Sequence, residues 1–505
     1  MTPRLAIYDP AHVDNDQSAA EQVATRLRIE VTCRREPLAA VKTEGRLLIV
    51  SNRLPLTVSV AAGCLTLRQS SGGLARGLAG CHAQGGGLWI GWDGATQRIA
   101  GTYRTSLERE FVERRIVPVT LDRQEVHEFY DRVSNAVLWP VFHDRLDRLP
   151  LVPPRWEAYE QINARFADIV SDVYRPGDTI WVHDYQLLRV PMLLRERIPG
   201  ARIGFFLHVP FPAAAVFQAL APRDQYLAGM LGADLIGFHT QRDVENFKTA
   251  LQGAPNVSVG PDSVVRFANR SIRVAAFPMG IDAAAFTAQA SSCAAGLAAS
   301  QLRIAGQRLL VGIDRLDYSK GIPRRLLAFD ELLTRYPEWR GGLRLIQIAI
   351  PSRERLSAYR KLRREVEQLV GHVNGKFGTP TWTPIQYMNG SVSPDQLVAL
   401  YRAADVMLVT PVRDGMNLVA KEFVASRIDH DGVLLLSEFA GAADELRDAI
   451  RINPYNTSEF AQAIHAALHM GSGERHHRMR RLRACVAERD IHWWADSFLT
   501  ALLQQ

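Results

Sequence analysis

The feature that most constrains this chain is a short apolar run that ends in polar residues and keeps returning. LLIVSN (47–52), LWIGWDG (88–94), TIWVHDY (179–185), RIGFFLHVPFP (202–212), DLIGFHT (234–240) and VAAFPMG (274–280) form one series. RLLVGIDRLD (308–317), RLIQIAI (344–350), DVMLVTPVRDG (405–415) and GVLLLSEFAG (432–441) form a second. Runs of this length, bounded by turn residues, read as buried strands. Stretches with helical periodicity lie between them, among them 156–173 and 187–197. Strands alternating with helices imply a parallel sheet covered on both faces. Two such series in 505 residues predict an α/β chain of two doubly wound, Rossmann-like domains, since a domain averages about 150 residues. The first domain is expected over 45–282 and the second over 283–475, with the boundary after Pro278–Asp282 in an Ala- and Ser-rich stretch. Residues 1–44 read as a polar extension of open role, with a helix expected over 16–29. No repeat of 20–50 residues stands out.

In an open parallel sheet, ligands bind beyond the carboxyl ends of the strands. The polar residues that close each run are therefore the candidates. Arg53 follows the first strand. Ser71-Gly72-Gly73-Leu74 opens a helix, where a Gly pair lets backbone N–H groups approach an anion, although a plain turn explains it as well. Tyr130 and Trp139, in and beside SNAVLWP, suit either a sugar face or core packing. Asp184 and His208 each end an apolar strand and are equally open to a structural or a sugar-binding role. Arg315 and Lys320 lie five residues apart across a strand-to-loop step, and both could reach one diphosphate or simply be surface charges. Arg353, in IAIPSR, is a third anion-binding candidate. RDGMNLVAKE runs from a Gly turn into a helix. The amides of Asn417, Leu418 and Val419 fall at its N-terminus, with Asp414 before them and Glu422 after. Glu422 could take a ribose or face solvent. GxGxxG and GxxxxGK[ST] are both missing.

Composition excludes other classes. The net charge is +7, but no zinc-finger or RNP motif accompanies it, so nucleic acid is not an expected partner. The run Arg478, Arg480, Arg481, Arg483 reads as a solvated helix face. Five scattered cysteines without a CxxC argue against a disulfide framework and a zinc site, and fit a reducing cytoplasm. The N-terminus lacks a secretory apolar region, and no apolar run nears the ~18 residues of a membrane span. No metal site and no cofactor are expected.

With these motifs together, the chain closely resembles the trehalose-6-phosphate synthases of the OtsA type, retaining glycosyltransferases of the GT-B architecture. SNRLP, SGGL, GWDG, SNAVLWPVFH, VHDYQLL, GFFLHVPFP, GADLIGF, RLDYSKG, TPVRDGMNLVAKE and SEFAGAA carry the resemblance from about Arg46 to the C-terminus. It implies glucosyl transfer from UDP-glucose to glucose 6-phosphate without a metal. Arg53, Tyr130, Trp139, Asp184 and Arg353 match the acceptor site. Gly72, His208, Arg315, Lys320, Asp414, Asn417, Leu418, Val419 and Glu422 match the donor site. Asp184, His208, Arg315, Lys320 and Asp414 match the groups nearest the chemistry. The resemblance also implies that residues 476–505 form a helix returning to the first domain, with Trp493 and Trp494 packed there. Residues 444–505, which follow the last motif, leave no room for a phosphatase domain, so a separate phosphatase is expected. A synthase with glycerol 3-phosphate as acceptor, or a non-catalytic sugar-phosphate sensor, stands as the alternative. The donor base, any homo-oligomer and any allosteric effector stay open.

Overall fold

The structure is a computed structural model that describes residues 45–61, 64–69, 77–80, 82, 86–96, 101–260 and 264–504. The helix expected over 16–29 and the SGGL turn with Gly72 lie outside the described residues. Residues from Gly45 onward fall in one compact unit.

The apolar runs become two sheets. Among the described residues the first has nine strands, in the order β5-β4-β1-β6-β7-β8-β11-β10-β9. Their ranges are β1 Leu47–Arg53, β4 Leu88–Trp92, β5 Ile116–Val119, β6 Thr179–His183, β7 Arg202–Phe206, β8 Leu235–Phe238, β9 Val257–Val259, β10 Val264–Phe267 and β11 Arg270–Ala276. A hairpin of β2 (Leu56–Ala61) and β3 (Cys64–Gln69) stands apart from it. The second sheet has the order β14-β13-β12-β15-β16-β17. It comprises β12 Arg308–Arg315, β13 Leu343–Ile350, β14 Ile385–Met388, β15 Val406–Val409, β16 Val433–Ser437 and β17 Ile450–Ile452. All pairings in the second sheet are parallel. The first departs from the expected all-parallel arrangement at one edge, where β10 runs antiparallel to both β11 and β9. The alternation of burial in β10 and β11 fits this edge, which is half exposed, unlike the fully buried β6 and β8.

Register positions the site. Ser51 pairs with His183, and His183 with Phe206, so β1, β6 and β7 end at one level. Arg315 pairs with Ile350, so β12 and β13 also end together.

Three local outcomes differ from expectation. The stretch 187–197 forms a short 3₁₀ turn at Tyr185–Leu187 and a helix only over Val190–Arg197, with Pro191 fitting its first turn. The Ala- and Ser-rich stretch after Asp282 is two helices, Ala283–Ala290 and Cys293–Leu302, capped by Asp282 and Ser292 side chains. The C-terminal residues form two helices. Ser472–Glu488 packs Met479, Leu482 and Val486 beside the second sheet's core. Ile491–Leu503 turns to the first sheet, where the Trp494 ring lies 5.1 Å from Trp181 and from Phe206, and Phe498 stacks on Trp181 at 4.7 Å. Trp493 is only partly buried, with the Arg489 guanidinium over its ring. The C-terminal arginines are largely spent on structure: Arg478 binds Glu474, Arg481 binds Asp448, and Arg483 donates to the Ala425 carbonyl. Among the described residues no helix is long and apolar enough to cross a membrane.

Candidate functional site

The strand ends of the two sheets meet around Arg353. Its Nε donates to Asn135 Oδ1 at 2.7 Å, and its Nη1 donates to Asp317 Oδ2 at 2.6 Å and to the Tyr359 hydroxyl at 3.1 Å. Its Nη2 reaches the Tyr185 hydroxyl at 3.3 Å, and the guanidinium carbon lies 3.8 Å from the Trp139 ring centre. Asn135 and Tyr185 belong to the first half of the chain, Asp317 and Tyr359 to the second. One side chain thus joins both.

Tyr130 and Trp139 reach this cluster through an unusual helix. Val126–Leu138 is a π-helix, and the Ser134 hydroxyl donates to the Phe129 carbonyl five residues back. Such segments are rare and recur at functional sites. Tyr130 lies edge-on to Trp92 at 6.2 Å, and the Arg53 guanidinium covers the Trp92 ring at 4.5 Å. Burial pulls Arg53 below its ordinary value, and the nearby Tyr130 and Asp93 offset part of this. Trp139 is buried at 4% exposure, with the Arg353 and Arg315 guanidiniums over its ring. Its indole still points Nε1 at Asp317 Oδ1, 3.4 Å away.

A second ion pair lies beyond Trp139. Lys320 Nζ meets Asp414 Oδ2 at 2.6 Å. Burial works to raise the Asp414 carboxyl, but Lys320 and other cations outweigh it and hold it below the usual range. Asn417 donates to the same oxygen at 3.0 Å. Its side chain is turned to Asp414, and Asn417 makes no side-chain cap to the helix Leu418–Ser426. Leu418 and Val419 open that helix. Glu422, one turn on, accepts from the Tyr401 hydroxyl at 2.8 Å. Arg315 is exposed, 5.5 Å from the Trp139 ring centre, and its charge acts on Asp184, Asp317 and Asp414 together.

Three candidates have a positive φ: Asp184 at 75°, Arg353 at 48° and Asn417 at 71°. This region is costly for residues with a Cβ, and such strain concentrates at functional positions. At Asp184 the backbone amide binds the Phe206 carbonyl at 2.8 Å, and the carboxylate accepts from the His208 amide at 3.2 Å. Burial pushes the Asp184 carboxyl up to about 6, against the pull of the Tyr185 and His208 amides and of Arg315 and Arg353. His208 Nε2 lies 3.1 Å from His183 Nδ1. Burial takes His183 and His239 down to about 3 and His208 well below its ordinary value, so all three rings are neutral near pH 7.

The motif RDG closes onto this floor. A Cβ on Gly415 would lie 2.8 Å from the His208 carbonyl oxygen, and one on Gly441 only 1.9 Å from the Gly415 carbonyl oxygen. Arg413 beside it reaches the Phe211 carbonyl at 3.3 Å and Asp144 at 3.2 Å. The structure therefore brings Arg53, Tyr130, Trp139, Asp184, His208, Arg315, Lys320, Arg353, Asp414 and Asn417 into one connected region. Trp92, Asn135, Tyr185 and Asp317 join them without having been singled out. Trp92, Asn135 and Asp317 lay inside motifs already noted, and Tyr185 directly follows Asp184. Asn135 Nδ2 and Asn417 Oδ1 are buried without a partner among the described residues, as polar groups at binding sites often are.

Comparison with known proteins decides the family. The sequence profile of glycosyltransferase family 20 matches residues 45–504. The chain belongs to glycosyltransferase family 20. It is 40% identical over 462 residues to a UDP-forming alpha,alpha-trehalose-phosphate synthase A of Dictyostelium discoideum, covering 91% of this chain but 62% of that protein. A second UDP-forming synthase, from Aspergillus niger, is also 40% identical, covering 91% of this chain and 97% of its own length. Among solved structures, trehalose-6-phosphate synthase from E. coli bound to UDP-2-fluoro glucose matches at TM-score 0.81 and 37% identity, covering 91% and 99% of the two chains. The enzyme of Burkholderia xenovorans in complex with glucose-6-phosphate matches at TM-score 0.81 and 34% identity, covering 91% and 100%. The paired sheets of this family 20 chain are the GT-B architecture.

Proposed function

We propose that this chain transfers glucosyl from UDP-glucose to the anomeric hydroxyl of glucose 6-phosphate with retention, giving trehalose 6-phosphate and UDP. The observation that carries this is the continuous polar cluster from Arg353 through Asp317 and Trp139 to Arg315, Lys320 and Asp414. It joins a site fit for a sugar phosphate to one fit for a diphosphate.

Arg53 and Arg353 hold the acceptor phosphate, with Tyr130, Trp139 and Asp184 around the acceptor sugar. Gly72, His208 and Asp414 surround the transferred glucose. Arg315 and Lys320 take the diphosphate. Asn417, Leu418 and Val419 present amides to the nucleotide, and Glu422 takes its ribose. The bond from the glucosyl anomeric carbon to UDP breaks, and the acceptor oxygen attacks on the same face. The acceptor's proton passes to the leaving β-phosphate oxygen. The protein positions the partners and stabilises charge. Lys320 exchanges Asp414 for phosphate oxygens as charge builds on UDP. No metal is required. Residues 45–282 and 283–475 act as two domains closing on the substrates. The enzyme works in the cytoplasm, and a separate phosphatase takes its product.

Kinetics with a panel of phosphorylated acceptors test this. Arg315→Ala or Lys320→Ala lowers kcat by at least about a hundredfold. Arg53→Ala and Arg353→Ala mainly raise KM for glucose 6-phosphate, and turnover persists in EDTA. Preference for glycerol 3-phosphate, or near-normal kcat in both cation variants, would overturn the assignment.

A further inference from the structure

We propose that Asp317 is a positioning residue that aims Arg353 at the acceptor phosphate. This rests on the assignment of Arg353 to glucose 6-phosphate.

Asp317 lies between Arg315 and Lys320 in sequence, yet its carboxylate does not pair with the diphosphate side alone. The residue is fully buried. Oδ1 accepts from the Ser319 amide at 3.0 Å and faces the Trp139 indole at 3.4 Å. Oδ2 accepts from Arg353 Nη1 at 2.6 Å and from the Tyr359 hydroxyl at 3.1 Å. The two oxygens therefore have separate tasks. One shapes the turn that presents Lys320, and the other holds Arg353.

The hold is directional. Arg353 is engaged along Nε by Asn135 and at Nη1 by Asp317 and Tyr359, leaving Nη2, among the described residues, with the 3.3 Å contact to Tyr185 alone. A planar guanidinium fixed on two sides offers its remaining edge in one direction. That edge is the one a phosphate can take. Arg353 also sits at φ 48°, a costly conformation, and Asp317 is the carboxylate its guanidinium meets. The surrounding cations Arg353, Lys320 and Arg315 overcome the effect of burial and keep the Asp317 carboxyl ionised.

Asp317→Asn separates the two tasks. Its Oδ1 can still accept from Ser319 and Trp139, while the amide nitrogen now faces Arg353. The test is steady-state kinetics with calorimetric UDP binding on the full chain. Asp317→Asn is expected to raise KM for glucose 6-phosphate at least about tenfold, with UDP affinity changed less than about threefold. The double variant with Arg353→Ala is expected to be no worse than Arg353→Ala alone, since one residue acts through the other. An unchanged KM, an equal loss of UDP affinity, or additive effects would overturn the proposal. If Arg353→Ala leaves that KM unchanged, the assignment of Arg353 fails and the proposal falls with it. Should Asp317→Asn not fold, Tyr359→Phe removes only the hydroxyl shared by Asp317 and Arg353. A rise of about threefold or more in the same KM supports the proposal, and no rise overturns it.

Discussion

Asp184 shows how one residue is placed against its own chemistry. It ends a buried strand with a positive φ, beneath two arginines, in surroundings that favour the protonated acid. Its ordinary value is 3.8 and its folded value about 6. Between them the unfolded chain releases a proton that the folded chain keeps. Stability from this residue is therefore whole below 3.8 and is lost as pH rises through about 6. Asp184→Asn keeps an oxygen for the His208 amide and never has to ionise. It is expected to melt at a higher temperature than the parent chain at pH 7.5, with the gain fading as pH falls from about 6 and gone below 3.8, while turnover drops. Thermal melts across pH, with activity measured beside them, check this. A parent-like melting curve at every pH would remove the assigned burial cost. A residue that raises activity while lowering stability is a familiar trade at active sites.

At the scale of elements, the segment 126–138 matters most. In an α-helix of about 3.6 residues per turn, Asn135 and Trp139 would point roughly 140° and 180° away from Tyr130. With the wider π turn, Asn135 and Trp139 both meet Arg353 and Tyr185 while Tyr130 lies beside them, edge-on to Trp92. The turn through Gly415 is set by contact as well, since the Gly441 backbone lies directly against it. Gly441→Ala places a methyl 1.9 Å from the Gly415 carbonyl oxygen, a contact no side-chain rotation can relieve. It is expected to weaken UDP binding by at least about tenfold through displacement of the 415–419 turn and to lower the melting temperature. Calorimetry with UDP and a thermal melt measure both, and unchanged UDP affinity would show that the turn can move without cost.

Across the whole molecule, the chain end completes the first sheet. Helix 491–503 covers Trp181 and Phe206 with Trp494, Phe498 and Leu502. Phe498 is fully buried and stacked on Trp181. Phe498→Ala is expected to cost about 3–5 kcal/mol of stability, as deletion of a buried aromatic does. Denaturant unfolding would show it as a lower midpoint, and a loss under about 1 kcal/mol would mean that the helix contributes little. Because this helix follows the second sheet in sequence but packs on the first, it also ties the two halves together.

Alternating apolar runs and helical stretches, read alone, determined two mainly parallel sheets and the strand ends where polar residues gather. That follows from burial, since a strand covered on both faces must be apolar along its length and can be polar only where it ends. The motifs likewise marked Arg53, Asp184, His208, Arg315, Lys320, Arg353 and Asp414. The antiparallel edge of β9 and β10 escaped because short, half-exposed strands resemble loops in composition. The π turn escaped because its i→i+5 bonding leaves no mark on residue type. Only the tertiary structure set Asp317 against Arg353, 36 residues apart, and Asn135 against Arg353, 218 apart. Partnership between distant side chains depends on the register of two sheets and the path between them, which no local pattern of residues encodes.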